Sequence, residues 1–422
     1  MPTQSDFKPR SDLVRVLIER GHVYQATNLE GLDLAALQGP LAAYIGFDAT
    51  APSLHVGSLV QIMTLRRLQQ TGHKPIVLMG GGTTKVGDPS DQSAQRPMLD
   101  ETAIAANIAG IRGAFSPFLT FGNGALDAFM VNNADWLEKL GYIEFLRTYG
   151  VHFTINKMLA LEFVKSRIDN EQPLTFLEFN YMLMQAADFL ELNRRHGCTL
   201  QFGGSEQWGN IVNGIDLIRR VEGQAAFGVT APLIATASGA KMGKTVGGAV
   251  WLNAEMRTPY DYWQFWRNTE DPDVGRFLRL FTELPLSEIW RLERLQGSEL
   301  NDAKKILASE ATRLLHGVKA AENAAGAARA AFEEGRLTDN LPTFEVPRAS
   351  LETGLALATL ASDAGLAASR SDARRLVAGG GLRVHDVVET DAQRLVTLAD
   401  CDDQGLIKLA VGRKKIILVR PS

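Results

Sequence analysis

Between Leu41 and Ile234, short apolar runs alternate with longer stretches of helical periodicity. LAAYIGF (41–47) and PIVLMG (75–80) predict buried strands, and SLVQIMTLRRLQQ (58–70) between them predicts a helix. A strand–helix–strand unit of this length requires a parallel, right-handed crossover. Further strands are expected within AFMVNN (128–133), CTLQFGG (198–204) and FGVTAPLI (227–234). The pattern predicts an α/β fold over 1–235, a Rossmann-like doubly wound parallel sheet with ligands at the carboxyl ends of its strands. Thr258 and Pro259 then supply an N-cap and a first helical residue. From there to about Glu334 the chain reads as helical, so 236–336 is expected to be an α-helical domain. LTDNLPTFEVPRAS (337–350) reads as a linker, and 351–422 as a small α+β domain that begins with helix and ends in strands.

Composition changes this picture little. The chain has 422 residues, 45% hydrophobic and 22% charged, enough for two or three domains with their own cores. A formal net charge of −4 gives no global signal for nucleic acid, so any such contact must come from a local basic patch. The two cysteines, Cys198 and Cys401, are far apart and lack metal-ligand spacing, which argues for free thiols and against a disulfide framework. The amino-terminal segment has no apolar stretch of signal-peptide type, and no long uncharged apolar run follows. A cytoplasmic enzyme with no membrane partner and no protein-bound metal is the expectation.

Three segments carry candidate chemistry. TAPSLHVGSL (50–59) follows a predicted strand and opens a helix, and helix N-termini present unpaired N–H groups to phosphates. Gly57 would let a nucleotide lie against the backbone, with His55 and Thr50 in reach of phosphate oxygens. Alone, a histidine before a helix is more often structural. ASGAKMGKTVGG (237–248) holds Lys241 and Lys244 between glycines, either a polyphosphate grip or a solvated basic loop. TFLEFNYMLMQAADFLEL (175–192) opens with Thr175 and Glu178 at capping-box spacing. It places Tyr181, Gln185 and Asp188 on one face of an otherwise apolar helix. Buried polar groups need partners, so this face either binds a polar ligand or closes on internal hydrogen bonds.

Taken together, HVGS (55–58) and KMGKT (241–245) resemble the His-Ile-Gly-His and Lys-Met-Ser-Lys-Ser signatures of the class I aminoacyl-tRNA synthetases, and the flanking residues resemble the bacterial-type tyrosine-specific branch. The resemblance covers nearly the whole chain. It implies phosphate roles for Thr50, His55, Lys241, Lys244 and Thr245, with Gly46, Asp48, Gly57 and Ser58 lining the ATP site. It implies that Tyr181 and Gln185, helped by Asp88, bind the substrate α-ammonium, while Tyr44 and Asp188 read a phenolic hydroxyl. A site whose buried polar groups phenylalanine would leave unpaired rejects that amino acid strongly, and this family is the standard example. In QFGGSEQWGN (201–210) the resemblance makes Glu206 a ribose ligand and Gln207 a tyrosine contact; GGGTTKVGDPS (80–90) supplies Asp88.

The chain departs from the family pattern at several points. Ser58 stands where the second histidine is expected, leaving less transition-state stabilisation there or a shared role with Gln61. Glu206 is one methylene longer than the usual aspartate. Gln92 occupies the place of a lysine and Arg96 that of an arginine, the pair that closes over pyrophosphate; Lys85 is a conceivable substitute.

Residues 365–422 hold ten Lys/Arg against seven Asp/Glu, a net of +3. AASRSDARRLVAGGGLRVHDVVE (367–389) resembles a small RNA-binding domain shared with a ribosomal small-subunit protein, which puts Arg370, Arg374, Arg375 and Arg383 on an RNA face. The expected activity is two-step: L-tyrosine and ATP with Mg2+ give tyrosyl-adenylate and pyrophosphate, then tyrosine passes to the 3′ end of tRNA(Tyr). The resemblance also implies a homodimer. A tryptophan-activating relative would share both signatures but has no use for Tyr44 and Asp188. A non-catalytic RNA-binding paralogue could dispense with His55, Lys241 and Lys244.

Overall fold

The computed structural model describes residues 7–90, 99–239, 242, 244–245, 248–332, 342–402, 405–412 and 415–422; for 244, 245, 331 and 332 it describes the backbone alone. The chain forms two compact units, residues 1–240 with 275–289, and residues 241–274 with 290–422. The expected helical domain 236–336 is therefore not continuous, because 275–289 returns to the first unit. Two things hold this return. The helix Val274–Phe281 buries Phe277, Leu278, Leu280 and Phe281, and Arg20 donates to the carbonyls of Arg279, Thr282 and Leu284.

The first unit is built on a sheet whose described strands are β1 (Gln25–Ala26), β2 (Ala42–Phe47), β3 (Lys74–Met79), β4 (Phe129–Asn132), β5 (Cys198–Gly204) and β6 (Phe227–Ala231). Their order is β1-β6-β5-β2-β3-β4, with β1 antiparallel at one edge and the rest parallel. The parallel strands thus have the doubly wound arrangement expected. Only the two-residue β1 was missed, being too short to show a period. Burial of five consecutive residues in β3 shows that helices cover both faces there. One face carries Tyr44, Ile76 and Leu78 into a core with Phe189, Leu190, Leu217 and Ile218 from the helices Tyr181–His196 and Trp208–Glu222. The helix Leu59–Gln70 joins β2 to β3 and packs on both of them and on β5.

Segment 175–192 is not one helix as its pattern predicts. The capping box of Thr175 and Glu178 is present, but it caps a single turn, Phe176–Phe179, and a new helix starts at Tyr181 after Asn180. Exposed Phe176 and Leu177 lie on that separate turn, outside the buried stripe of the long helix.

In the second unit Thr258 caps the helix Pro259–Arg267 as expected, its hydroxyl accepting from Asp261 N at 3.1 Å. This helix packs against Leu300–His316 and Val318–Phe332. At the end of the second signature, β7 (Lys244–Thr245) pairs antiparallel with β8 (Gly248–Ala249). Within the expected linker, β9 (Thr343–Val346) runs parallel to the last strand, so it belongs to the carboxyl-terminal fold. There β10 (Leu355–Ala356) pairs β13 (Leu395–Val396). β11 (Leu382–Val384), β12 (Val387–Glu389), β14 (Ile407–Val411) and β15 (Lys415–Pro421) join β9 in a sheet of order β12-β11-β14-β15-β9. The helices Leu357–Asp363 and Arg370–Ala378 share its core.

Candidate active site at the switch point of the sheet

β2 and β5 are neighbours from the two halves of the sheet, the place where a doubly wound fold opens to ligands. Their pairing runs only from Ala42↔Cys198 to Tyr44↔Gln201, whereas β2–β3 continues to Phe47↔Met79 and β5–β6 to Gly204↔Ala231. The two strands part beyond Tyr44, leaving a crevice at their carboxyl ends. Gly46, on the same face as Tyr44, is the exposed residue of an otherwise buried strand. A Cβ there would meet only Leu78 Cδ2, at 3.9 Å. The fold itself does not demand glycine at 46; a bare floor under a ligand does.

At the inner end of the crevice stands a polar group in an apolar wall. Tyr44 is 1% exposed, packs on Phe189 with ring centroids 5.3 Å apart, and its hydroxyl has no partner among the described residues. Asp188 is equally buried and accepts twice, from Asn133 Nδ2 at 2.9 Å and Trp136 Nε1 at 2.8 Å. Burial raises its carboxyl to about 7, against the downward pull of those two N–H groups. The Tyr44 phenol is pushed up by burial and then by the field of Asp188. An unpartnered hydroxyl beside an acceptor carboxylate suits a ligand hydroxyl that donates to one and accepts from the other.

Carboxylates also surround the Tyr181 hydroxyl. It donates to Asp48 Oδ2 at 3.2 Å, and Asp48 Oδ1 accepts from Thr83 at 2.9 Å. Burial raises the Tyr181 phenol, and the charges of Asp48, Asp88 and Asp188 raise it further. Asp88 accepts from Gln207 Nε2 at 2.7 Å and from Ser90 N at 2.9 Å. Gln185 donates to Gln207 Oε1 at 3.2 Å and accepts from Asn210 at 3.0 Å. Three carboxylates around polar donors make a site for an ammonium group. Tyr181, Gln185 and Asp188 are all paired with neighbouring side chains, and the buried atoms without a partner among the described residues include Tyr44 Oη, Gln201 Oε1 beside it in the ladder, and Asn210 Oδ1 next to Gln185.

At the first signature, Val56–Ser58 form a 3₁₀ turn leading into the helix Leu59–Gln70. His55 Nδ1 accepts from Gly57 N at 3.0 Å, which leaves the ring proton on Nε2 as a donor. With its amide turned to donate, Gln61 reaches Ser58 O at 3.1 Å and Gly57 O at 3.3 Å. Thr50 is exposed nearby in sequence. The Glu206 carboxylate lies over Gly204 so closely that a Cβ there would sit 2.3 Å from it. Glycine at 204 is what lets Glu206 reach the end of β5.

Arg96, Gln92 and Lys241 lie outside the described residues, as do the side chains of Lys244 and Thr245. In the carboxyl-terminal fold Arg370, Arg374 and Arg375 are exposed on the helix capped by Ser369, and Arg383 is half-buried on β11. Asn133, Trp136, Thr83, Gln201 and Asn210 were not anticipated. Asn133 closes the predicted strand 128–133, and a polar residue at the carboxyl end of a parallel strand was the available signal.

A crevice at the switch point, with a histidine-bearing turn opening a helix after one of its strands and buried polar side chains at its inner end, agrees with a class I aminoacyl-tRNA synthetase. Residues 36–333 match the model of the class I tRNA synthetases (W and Y), and the chain belongs to that family. Among its relatives, the tyrosine–tRNA ligase of Caulobacter vibrioides strain NA1000 / CB15N is 63% identical over 421 residues, covering 100% of both chains. That of Rhodospirillum rubrum is 59% identical over 412 residues, 98% of each. Among solved structures, a C-terminally truncated mitochondrial tyrosyl-tRNA synthetase of Aspergillus nidulans superposes with a TM-score of 0.69 at 29% identity, over 76% of this chain and 95% of that one.

Proposed function

We infer that this chain is a tyrosine–tRNA ligase, which activates L-tyrosine with ATP and transfers it to tRNA(Tyr). The observation that carries the choice of amino acid is the pair formed by the buried Tyr44 hydroxyl and the Asp188 carboxylate. Tyrosine's phenol donates to Asp188 and accepts from Tyr44. Phenylalanine leaves the Tyr44 hydroxyl unpaired and brings Asp188 no further donor, and an indole N–H can donate to Asp188 but has no lone pair for Tyr44.

Tyr181, Asp48, Asp88 and Gln185 hold the α-ammonium, directing the carboxylate toward the nucleotide signature. That carboxylate attacks the α-phosphorus of ATP; the bond to the bridging oxygen breaks and pyrophosphate leaves with its electron pair. His55 Nε2–H and the 3₁₀-turn amides donate to phosphate oxygens, joined by Lys241, Lys244 and Thr245. In the second step the terminal ribose hydroxyl attacks the adenylate carbonyl and AMP departs. The chain supplies no nucleophile, so its contribution is positioning and charge stabilisation. Magnesium enters as Mg·ATP. Its ligands there are mainly phosphate oxygens and water.

Arg370, Arg374, Arg375 and Arg383 are the RNA contacts of the carboxyl-terminal domain. A homodimer is supported by Tyr142, Ile143, Val151, Ile155 and Phe176, large apolar side chains 60–69% exposed in one stretch of the first unit. Among the described residues no helix is long and apolar enough to cross a membrane. Pyrophosphate exchange with tyrosine, phenylalanine and tryptophan tests the reading. Exchange with tyrosine alone is expected, and exchange that prefers tryptophan overturns it.

A further inference from the structure

The last turns of the helix Tyr181–His196 carry a charge cluster one turn beyond Asp188. At its centre Glu191 is 8% exposed. Its Oε2 accepts from Arg195 Nε at 2.9 Å and Nη2 at 2.8 Å. Its Oε1 accepts from Arg194 Nη1 at 3.1 Å and from the Tyr149 hydroxyl at 3.2 Å. Burial opposes the charge of Glu191, but the hydrogen bonds from Arg195 and Arg194 outweigh it and hold the carboxyl below its ordinary value. Arg194 is held a second time, by Glu222 at 2.6 Å.

Arginines in a last turn suit the helix dipole whatever else they do. That does not account for where Arg195 lies. Anchored by Glu191, its guanidinium sits over the Trp136 ring, 5.3 Å from the centroid, while its side chain stays 46% exposed. Trp136 belongs to the helix Ala134–Leu137 and is 5% exposed. Its Nε1 donates to the buried Asp188 Oδ1 at 2.8 Å. The indole thus has a cation over one face and a carboxylate at its edge. A cation there fixes the plane of the ring and strengthens its N–H as a donor.

We propose that Arg195, anchored by Glu191, is a positioning residue for tyrosine recognition, acting on Asp188 through Trp136. Among the described residues its hydrogen bonds go to Glu191, so its influence on the carboxylate passes through the indole and through its charge. This rests on the ligase reading.

The direction of the effect can be worked out. After burial, Asp48 and Glu191 raise the Asp188 carboxyl, while Asn133 and Trp136 lower it. The phenols of Tyr44 and Tyr181 face it as neutral groups, both pushed up by burial. Beside Arg195, the His196 ring is made less basic by burial, by Arg195 and by Lys74, and burial raises Tyr149 to about 12. Removing the Arg195 guanidinium therefore makes Asp188 harder to ionise. Removing the charge of Glu191, with an acceptor oxygen kept for Arg195, makes it easier.

The test uses the full-length protein with Arg195→Ala, Arg195→Lys and Glu191→Gln. KM for tyrosine and for ATP, and kcat, are measured by pyrophosphate exchange between pH 6 and pH 8. Tyrosine-dependent exchange by the wild type tests the ligase reading by itself. Given that exchange, Arg195→Ala should raise tyrosine KM about two- to fivefold at pH 7, the scale of a cation–π contact at a half-exposed site. ATP KM, and kcat at saturating tyrosine, should stay within about twofold. The fall of tyrosine KM with pH should move up by about half a pH unit in Arg195→Ala and move down in Glu191→Gln. Arg195→Lys, which keeps a cation near the ring, should recover part of the loss. An unchanged KM and pH profile in Arg195→Ala overturns the proposal. So does a shift of the two profiles in the same direction, which general loosening would give, or a rise in ATP KM as large as that for tyrosine.

Discussion

Replacing Tyr44 by phenylalanine should make the free protein more stable and the enzyme worse. The ring stays in place against Phe189, 5.3 Å away, and only a hydroxyl without a partner among the described residues is removed. A buried, unpaired hydroxyl costs about 1–3 kcal/mol. Tyr44 is 1% exposed, so nearly all of that penalty applies to the unliganded state. The variant should gain stability of that order, which for a unit of this size is about 2–4 °C in Tm per kcal/mol. When tyrosine binds, the wild-type hydroxyl finds its partner, and a neutral hydrogen bond contributes about 0.5–1.5 kcal/mol net. The variant's kcat/KM for tyrosine should therefore fall about two- to tenfold, while that for phenylalanine should hold or rise. Thermal melts without ligand and pyrophosphate exchange with both amino acids measure the two effects. A variant that melts lower than wild type and activates tyrosine equally well would refute the assignment of this hydroxyl to the phenol.

Three further outcomes follow from the site. Because burial raises Asp188 from 3.8 to about 7, its contribution to stability is full below the unfolded value and is lost as pH rises through about 7. The difference of 7 − 3.8 ≈ 3.2 units corresponds to about 4 kcal/mol. A phenolic donor favours the ionised form, so KM for tyrosine should drop as pH climbs from 6 toward 7, and tyrosine should raise Tm more at pH 8 than at pH 6. A pH-independent KM over that range would remove Asp188 from the contact. Asn133→Ala strips one donor from Asp188 and leaves Gly82 N without its acceptor, so tyrosine KM should rise about tenfold or more with little change for ATP; an ATP effect as large would contradict it. Arg370→Ala with Arg374→Ala should leave pyrophosphate exchange intact while weakening tRNA binding. The salt dependence should flatten by about one unit of log–log slope for each phosphate no longer neutralised; an unchanged slope would place the RNA elsewhere.

Much of this was legible along the chain. Runs such as LAAYIGF and PIVLMG specify parallel strands because both faces of such a strand are buried. Thr258-Pro259 and Thr175 with Glu178 cap helix ends because capping is a local hydrogen bond, complete within four residues. The polar spacing of Tyr181, Gln185 and Asp188 marked a helix face whose polar groups the structure pairs with Asp48, Gln207, Asn133 and Trp136.

Tertiary structure decided what depends on partners far away in sequence. That Asp188 is gripped by Asn133 and Trp136, 55 and 52 residues distant, comes from the packing of the long helix beneath β4 and its following turn. That Tyr44 lacks a partner among the described residues could be known only by enumerating what surrounds it. The end of β2–β5 pairing at Tyr44, which opens the crevice, is a property of two strands whose separation is invisible to either one's sequence. The return of 275–289 to the first unit depends on arginines of the helix after the first signature and on Arg20, more than 200 residues away. Local pattern reveals which groups can form an element. Only the folded chain determines which of their hydrogen bonds are already spent and which are left for a ligand.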